Sequence, residues 1–286
     1  MEIPPARGLP QVNRAFGVVL TSTTVVTAIL FYFGWSRAYY FYDYFGVDTS
    51  LLGLTTTDYL QLSVDGLFVP LAIAACAVLA VLWIGVRLPT GRLRASRFLT
   101  YAVPAAGVLL LANGLSAIVW QTPFNRRLAV APLCLAAGAV LLVLAVRRTR
   151  TDASDGIAAL DWAVVFVLVG LALFWAANDY SAAVGRSRAE QLVGQLPTFP
   201  DATLYSAASL SFADPRVRET TCEDPKATYG FRYDNLKLVL QSGGQYLLLP
   251  TGWSPRDGTA ILLPRTDSTR FDFTRADATV EPPPTC

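Results

Sequence analysis

The chain has 286 residues, 53% of them hydrophobic and only 15% charged, with a mean hydropathy of +0.42. Soluble domains carry roughly 25% charged residues, so this balance argues against a purely soluble protein. The absence of His removes imidazole ligands and bases, and a net charge of +2 is too small for a nucleic-acid binder.

Charges are rare enough to divide the chain. Uncharged runs at 15–36, 66–86, 98–125, 128–146 and 162–178 are 17 to 28 residues long. A helix needs about 20 apolar residues to cross a bilayer core, within a range of about 17–25. The runs predict an α-helical membrane domain over 1–184, with transmembrane helices at about 15–36, 66–86, 101–120, 128–146 and 162–183. The last is extended past Asp179 by Tyr180, Ala182, Ala183 and Val184. Hydrocarbon offers no partner to an open strand, so helices are the required form. Trp35, Trp83, Trp120, Trp162 and Trp175 fall near run ends, as an interfacial belt requires. The first run is longer than a signal h-region and ends in Phe31-Tyr32-Phe33-Gly34-Trp35, which reads as a retained signal anchor.

Arg7, Arg14, Arg87, Arg92, Arg94, Arg97, Arg147, Arg148 and Arg150 collect on one side of these spans, against Arg37, Arg126 and Arg127 on the other. The positive-inside bias then gives a plasma-membrane protein with a cytoplasmic N-terminus and an extracytoplasmic C-terminal domain. If the 162–178 run fails to insert, that domain lies inside instead.

Residues 37–65 form an aromatic outer loop in this reading. Tyr39, Tyr40, Phe41, Tyr42, Tyr44 and Phe45 place six aromatics in seven residues. Three roles compete: an interfacial segment with rings at headgroup depth, a structural collar beneath the C-terminal domain, and a partner-recognition surface. Asp58 with Gln61 reads as a capping box with Asp58 as N-cap. Asp43, Asp48, Asp58 and Asp65 lack the dense spacing of a calcium loop and read as caps or solvated carboxylates, so no metal site is assigned.

Inside the spans, Asn113 beside Gly114 and the Thr21-Ser22-Thr23-Thr24 cluster with Thr27 are the notable polar groups. Asn113 suits an interhelical hydrogen bond or the wall of a substrate path. Cys76 and Cys134 sit in apolar runs as small hydrophobes. Ala72, Cys76 and Ala80 make a small-residue face suited to close helix packing.

Residues 185–286 change character, with turn residues at short intervals and 11 basic against 12 acidic groups. Residues 186–196 predict a short helix continuing the fifth span to Pro197. Stretches 203–212, 228–233, 236–241, 245–249, 259–263 and 270–274 predict a small, mostly antiparallel β domain. Ser242-Gly243-Gly244 marks a hairpin. Cys222 and Cys286 predict a disulfide if the domain lies outside, closing a loop that would contribute about 4 kcal/mol in the loop-entropy model. The Glu281-Pro282-Pro283-Pro284-Thr285 segment suits a stiff return to the domain surface.

No GxSxG, Walker, GxGxxG or HExxH pattern is present, and Ser–His–Asp and Cys–His systems require the missing His. No catalytic residue and no cofactor is assigned. Arg outnumbers Lys by 21 to 2. With Phe45-Gly46-Val47-Asp48, Thr57-Asp58-Tyr59-Leu60 and Ser242-Gly243-Gly244-Gln245-Tyr246-Leu247-Leu248-Leu249-Pro250, the chain resembles uncharacterised multi-pass membrane proteins of actinobacteria. The resemblance implies a bacterial plasma membrane and supplies no activity. The sequence therefore points to a non-enzymatic membrane protein that binds an extracytoplasmic protein or ligand, as a receptor, sensor or accessory subunit. A small oligomeric transporter or channel is the alternative, and an enzyme at the outer interface using Asp43, Asp48, Asp58 or Asp65 a further one.

Overall fold

The computed structural model of the chain describes residues 9–87, 97–120, 122–149, 155–223, 227–276, 278 and 286, with the side chains of 9–22, 25, 78, 81, 82, 84–87, 97–100, 147–149, 155–160 and 162 outside that description. Arg7, Arg92, Arg94 and Arg150 of the orientation argument, and the Pro-rich segment 281–285, lie outside the described residues. Helices α1 (Leu9–Asp43), α2 (Thr56–Arg87), α3 (Arg97–Val119), α4 (Val130–Thr149) and α5 (Asp155–Gln195) precede six strands. These are β1 (Asp201–Ser206), β2 (Arg218–Thr221), β3 (Phe231–Ser242), β4 (Gln245–Pro250), β5 (Ile261–Pro264) and β6 (Thr269–Thr274). The chain divides into two compact units, Ser63–Ala183, and Met1–Leu62 together with Val184–Cys286.

Among the described residues three helical stretches are long and apolar enough to cross a bilayer: Thr56–Ala77, Tyr101–Val119 and Ala163–Thr198. Val130–Val146 is a shorter apolar helix. Its expected start at 128 moves because Ala129 takes a φ of 60°, which ends the preceding turn before the helix can begin. The expected first span lies on α1, whose residues up to 22 fall outside the side-chain description.

In the unit Ser63–Ala183, α3 and α4 form a close antiparallel hairpin. A Cβ on Gly114 would lie 2.8 Å from Leu135 Cβ, one on Gly138 2.7 Å from Leu111 N, and one on Gly107 3.0 Å from Leu142 Cγ. Glycine here permits backbone approach, the usual device where no hydrophobic force drives helices together in lipid. The connecting turn is sealed by buried Asn125. Its Oδ1 accepts from the Thr122 amide at 2.7 Å, and its Nδ2 donates to Ser116 Oγ and the Trp120 carbonyl. Ala72, Cys76 and Ala80, expected to form a packing face, are exposed in this chain.

In the other unit, the strands make one antiparallel sheet of order β5-β4-β3-β1-β6. Long β3 pairs with β1 on one edge, and with β2 and then β4 along the other. The expected strands 228–233 and 236–241 are thus one element, continuous through Asn235 at a φ of 66°. The expected strand 203–212 ends at Ser206, and β2 adds a strand that its sequence, Arg-Glu-Thr-Thr, does not announce. Gly243 and Gly244, at φ 54° and 78°, make the two-residue hairpin turn expected between β3 and β4.

Both faces of the sheet are used. Leu204, Tyr233, Leu236, Leu248, Ile261 and Leu263 build a core on one face, capped by Leu210, Phe212 and Val217. Leu247 and Leu249 serve the opposite face. A register shift at Val239 lets Leu238 join the first core while Leu240 joins the second, since a regular strand would place both on one side. Buried Lys237 donates to the Phe199 carbonyl at 2.6 Å and pairs with Asp201 at 2.9 Å, fixing the short connection from α5 into β1. Cys222 and Cys286 are joined as a disulfide, with a Cα–Cα distance of 5.2 Å.

Candidate functional site: an aromatic collar under the sheet

The segment 37–65 is not a loop throughout. Helix α1 continues to Asp43, turns at Tyr44–Gly46, and α2 begins at Thr56. Local pattern explains the extension: the residues 39–42 lack any Gly or Pro, and the break comes only at Gly46, with a φ of 72°. Asp48 caps the short 3₁₀ turn Thr49–Leu52, accepting from the Ser50 amide at 2.8 Å, which holds its carboxyl below the usual range. The N-cap of α2 is Thr55, not Asp58. The Asp58 carboxylate accepts from the Thr55 amide at 2.8 Å, and the Thr55 hydroxyl accepts from the Asp58 amide at 3.3 Å. This is a reciprocal capping box with Asp in the third helical position.

Helical spacing separates the six aromatics. Tyr42 and Phe45 are buried, 5% and 4% exposed, together with Ala38, Val47 and Leu52. Phe41 and Tyr44 pack against them partly buried. Tyr39 points away at 40% exposed and stacks on Trp35 at 5.7 Å. Tyr40 lies under the Arg186 guanidinium at 4.7 Å. Burial pushes the Tyr42 hydroxyl up to about 12.

The buried rings meet the sheet and the end of α5. Leu247, Leu249, Leu196, Ala189 and Trp253 complete the cluster, with Trp253 5.0 Å from Phe45 and 6.1 Å from Tyr44. Helices α1 and α5 cross closely at Gly185, where a Cβ would lie 2.5 Å from the Arg37 carbonyl oxygen. Gly185 and Ala189 share a helix face at a spacing of four, which is what lets the helices approach. The hairpin tip completes the seat: a Cβ on Gly243 would lie 2.5 Å from the carbonyl oxygens of Leu52 and Gly53. Beside it Ser242 Oγ donates to the Asp58 carboxylate at 3.4 Å.

The loop carrying Trp253 is clamped by charge. Asp214, almost wholly buried, accepts twice from the Arg216 guanidinium at 2.9 and 2.7 Å. Arg216 donates onward to the carbonyls of Gly252 and Asp257, while Ser254 Oγ donates to the Asp257 carboxylate. The guanidinium hydrogen bonds hold the Asp214 carboxyl down to about 2. Sequence reasoning missed Trp253, Asp214, Arg216 and Gly185. The readable signals were the Asp214-Pro215-Arg216 turn and the Gly185/Ala189 spacing.

Asn113 lies elsewhere, on α3, with its Nδ2 buried and without a partner among the described residues, and its backbone carbonyl accepting from Ser116 Oγ. Thr27 donates to the Thr23 carbonyl one turn back at 2.9 Å. Among the described residues no cluster of three or more His, Cys, Asp or Glu is arranged to hold a metal ion.

No family model matches the chain, and neither a curated protein nor a solved structure matches it.

Proposed function

We propose that the chain is a non-enzymatic integral protein of a bacterial plasma membrane. In this reading five helices span the bilayer, the N-terminus is cytoplasmic, and the β domain lies outside, binding an extracytoplasmic protein or ligand. The observation that carries it is the collar. Tyr42, Phe45 and Trp253 seat a sheet against helix ends that continue from apolar, membrane-length segments. A domain held in this way is presented to the outside as a receptor, sensor or accessory subunit requires. The Arg bias of the short loops supports the orientation, and the Cys222–Cys286 bond suits an oxidising compartment. Photo-cross-linking on intact cells from the exposed Tyr39 position and from the β-domain surface tests it. Specific adducts lost on deletion of 185–286 are expected. An empty cross-linking screen, with wild-type cell behaviour after that deletion, would sink the proposal.

One observation favours a second reading, a small oligomeric transporter or channel. Asn113 offers a buried amide donor without a partner among the described residues, in a helix long enough to span. Replacing Asn113 with Leu would then abolish solute flux in vesicles while leaving the fold intact. Unchanged flux would remove this reading.

A further inference from the structure

Strand β6 pairs with β1 over its whole length, from Asp201 opposite Thr274 to Ser206 opposite Thr269, and with no other strand among the described residues. Among the described residues its second edge is therefore an open row of backbone donors and acceptors, the situation that sheets ordinarily guard against. The other sheet margins are shorter. β5 has four residues and ends in Pro264, and β2 has four. β6 has six, with no Pro, Gly or Lys.

Two side-chain features mark this edge. Arg270 and Asp272 flank Phe271 on the sheet face that also carries Leu247 and Leu249, both about half exposed and paired with each other at 2.7 Å. On the opposite face Phe271 and Phe273 stack at 6.1 Å with a 14° interplanar angle, and Phe273 is 55% exposed at the sheet margin. Phe271 already touches the inner core through Tyr246 at 4.8 Å, so Phe273 continues that core outward without cover.

We propose that the open edge of β6 pairs antiparallel with β6 of a second copy of this chain, in register about Phe271. The charge order selects this occupant. A two-fold axis through Phe271, normal to the sheet, sets Arg270 opposite Asp272 of the second copy, and Asp272 opposite its Arg270. Phe271 then faces its own mate, and Phe273 lies over Thr269 of the second copy and diagonal to its Phe271, so four rings form one ribbon. Moving the register by one step of two residues puts Asp272 opposite Asp272 or Arg270 opposite Arg270. Self-pairing thus has one register in which charge and aromatic patterns both match. The inference goes beyond the proposed partner binding and stands whether or not a foreign partner exists.

Cross-linking of the full-length protein in membranes tests it, in a background with Cys76→Ala and Cys134→Ala. With a short thiol cross-linker, Phe271→Cys should give covalent dimers about tenfold more efficiently than Phe273→Cys, because only residue 271 meets its own mate in this register. Co-precipitation of two differently tagged copies reads the same contact without a new cysteine. There Arg270→Asp should cut recovery about tenfold by placing like charges opposite each other twice, and adding Asp272→Arg should restore it. Equal cross-linking at 271 and 273, or recovery unmoved by Arg270→Asp, overturns the proposal. Adducts to a different protein in place of dimers overturn it as well.

Discussion

The hairpin turn offers a comparison between adjacent residues. Gly243 and Gly244 both hold a positive φ, so alanine at either position incurs the same kind of left-handed backbone penalty, about 1–2 kcal/mol. Their surroundings differ. A Cβ on Gly244 meets nothing within 4 Å, whereas one on Gly243 would sit 2.5 Å from two carbonyl oxygens and 2.6 Å from Gly53 Cα. These are backbone atoms, so relief requires the hairpin and the collar to separate, an overpacking cost of about 1–3 kcal/mol. Gly243→Ala should therefore destabilise by that amount more than Gly244→Ala. Thermal unfolding of the detergent-solubilised protein, followed by Trp fluorescence, should show Gly243→Ala melting lower by several degrees, at about 2–4 °C per kcal/mol. Equal melting temperatures for the two variants would refute the close seating of sheet on collar.

Other consequences follow from the same geometry. Phe45→Ala should cost about 3–5 kcal/mol of stability, while Tyr39→Ala at the exposed position should leave unfolding nearly unchanged. Gly185→Leu should part α1 from α5, read as new protease sensitivity between the helix and β1. Asp214 has a carboxyl pKa depressed to about 2 in the folded state, so its stabilising effect is complete above about pH 4 and is lost as pH falls toward 2. Asp214→Asn should thus lower the melting temperature near neutral pH and flatten its decline on acidification. Reduction of the Cys222–Cys286 bond should lower the melting temperature of the β domain, as should Cys222→Ser.

What the sequence disclosed were features set by neighbours along the chain. The uncharged runs marked helices, Gly243-Gly244 marked the hairpin, and the continuation of α5 to Pro197 followed from composition. Features set by distant partners stayed hidden. Asp234-Asn235 looks like a turn, yet β3 runs through it because β1 and β2 pair on both sides. β2 lacks apolar alternation because β3 alone holds it at the margin. The aromatic segment announced its density but not its partition. Which ring is buried depends on Leu247, Leu249 and Trp253, some 200 residues away in sequence. Gly53 and Gly243 lie far apart in the sequence, and only the fold shows that they touch.

The central claim is a β domain held outside the membrane on an aromatic collar, and its topology is open to one direct measurement. Intact cells are treated with a membrane-impermeant thiol reagent, with and without reductant, using Cys76→Ala and Cys134→Ala so that only Cys222 and Cys286 report. The account predicts labelling of both cysteines without permeabilisation, and only after reduction. Labelling that requires permeabilisation, and needs no reductant, would place the domain inside the cell and contradict it.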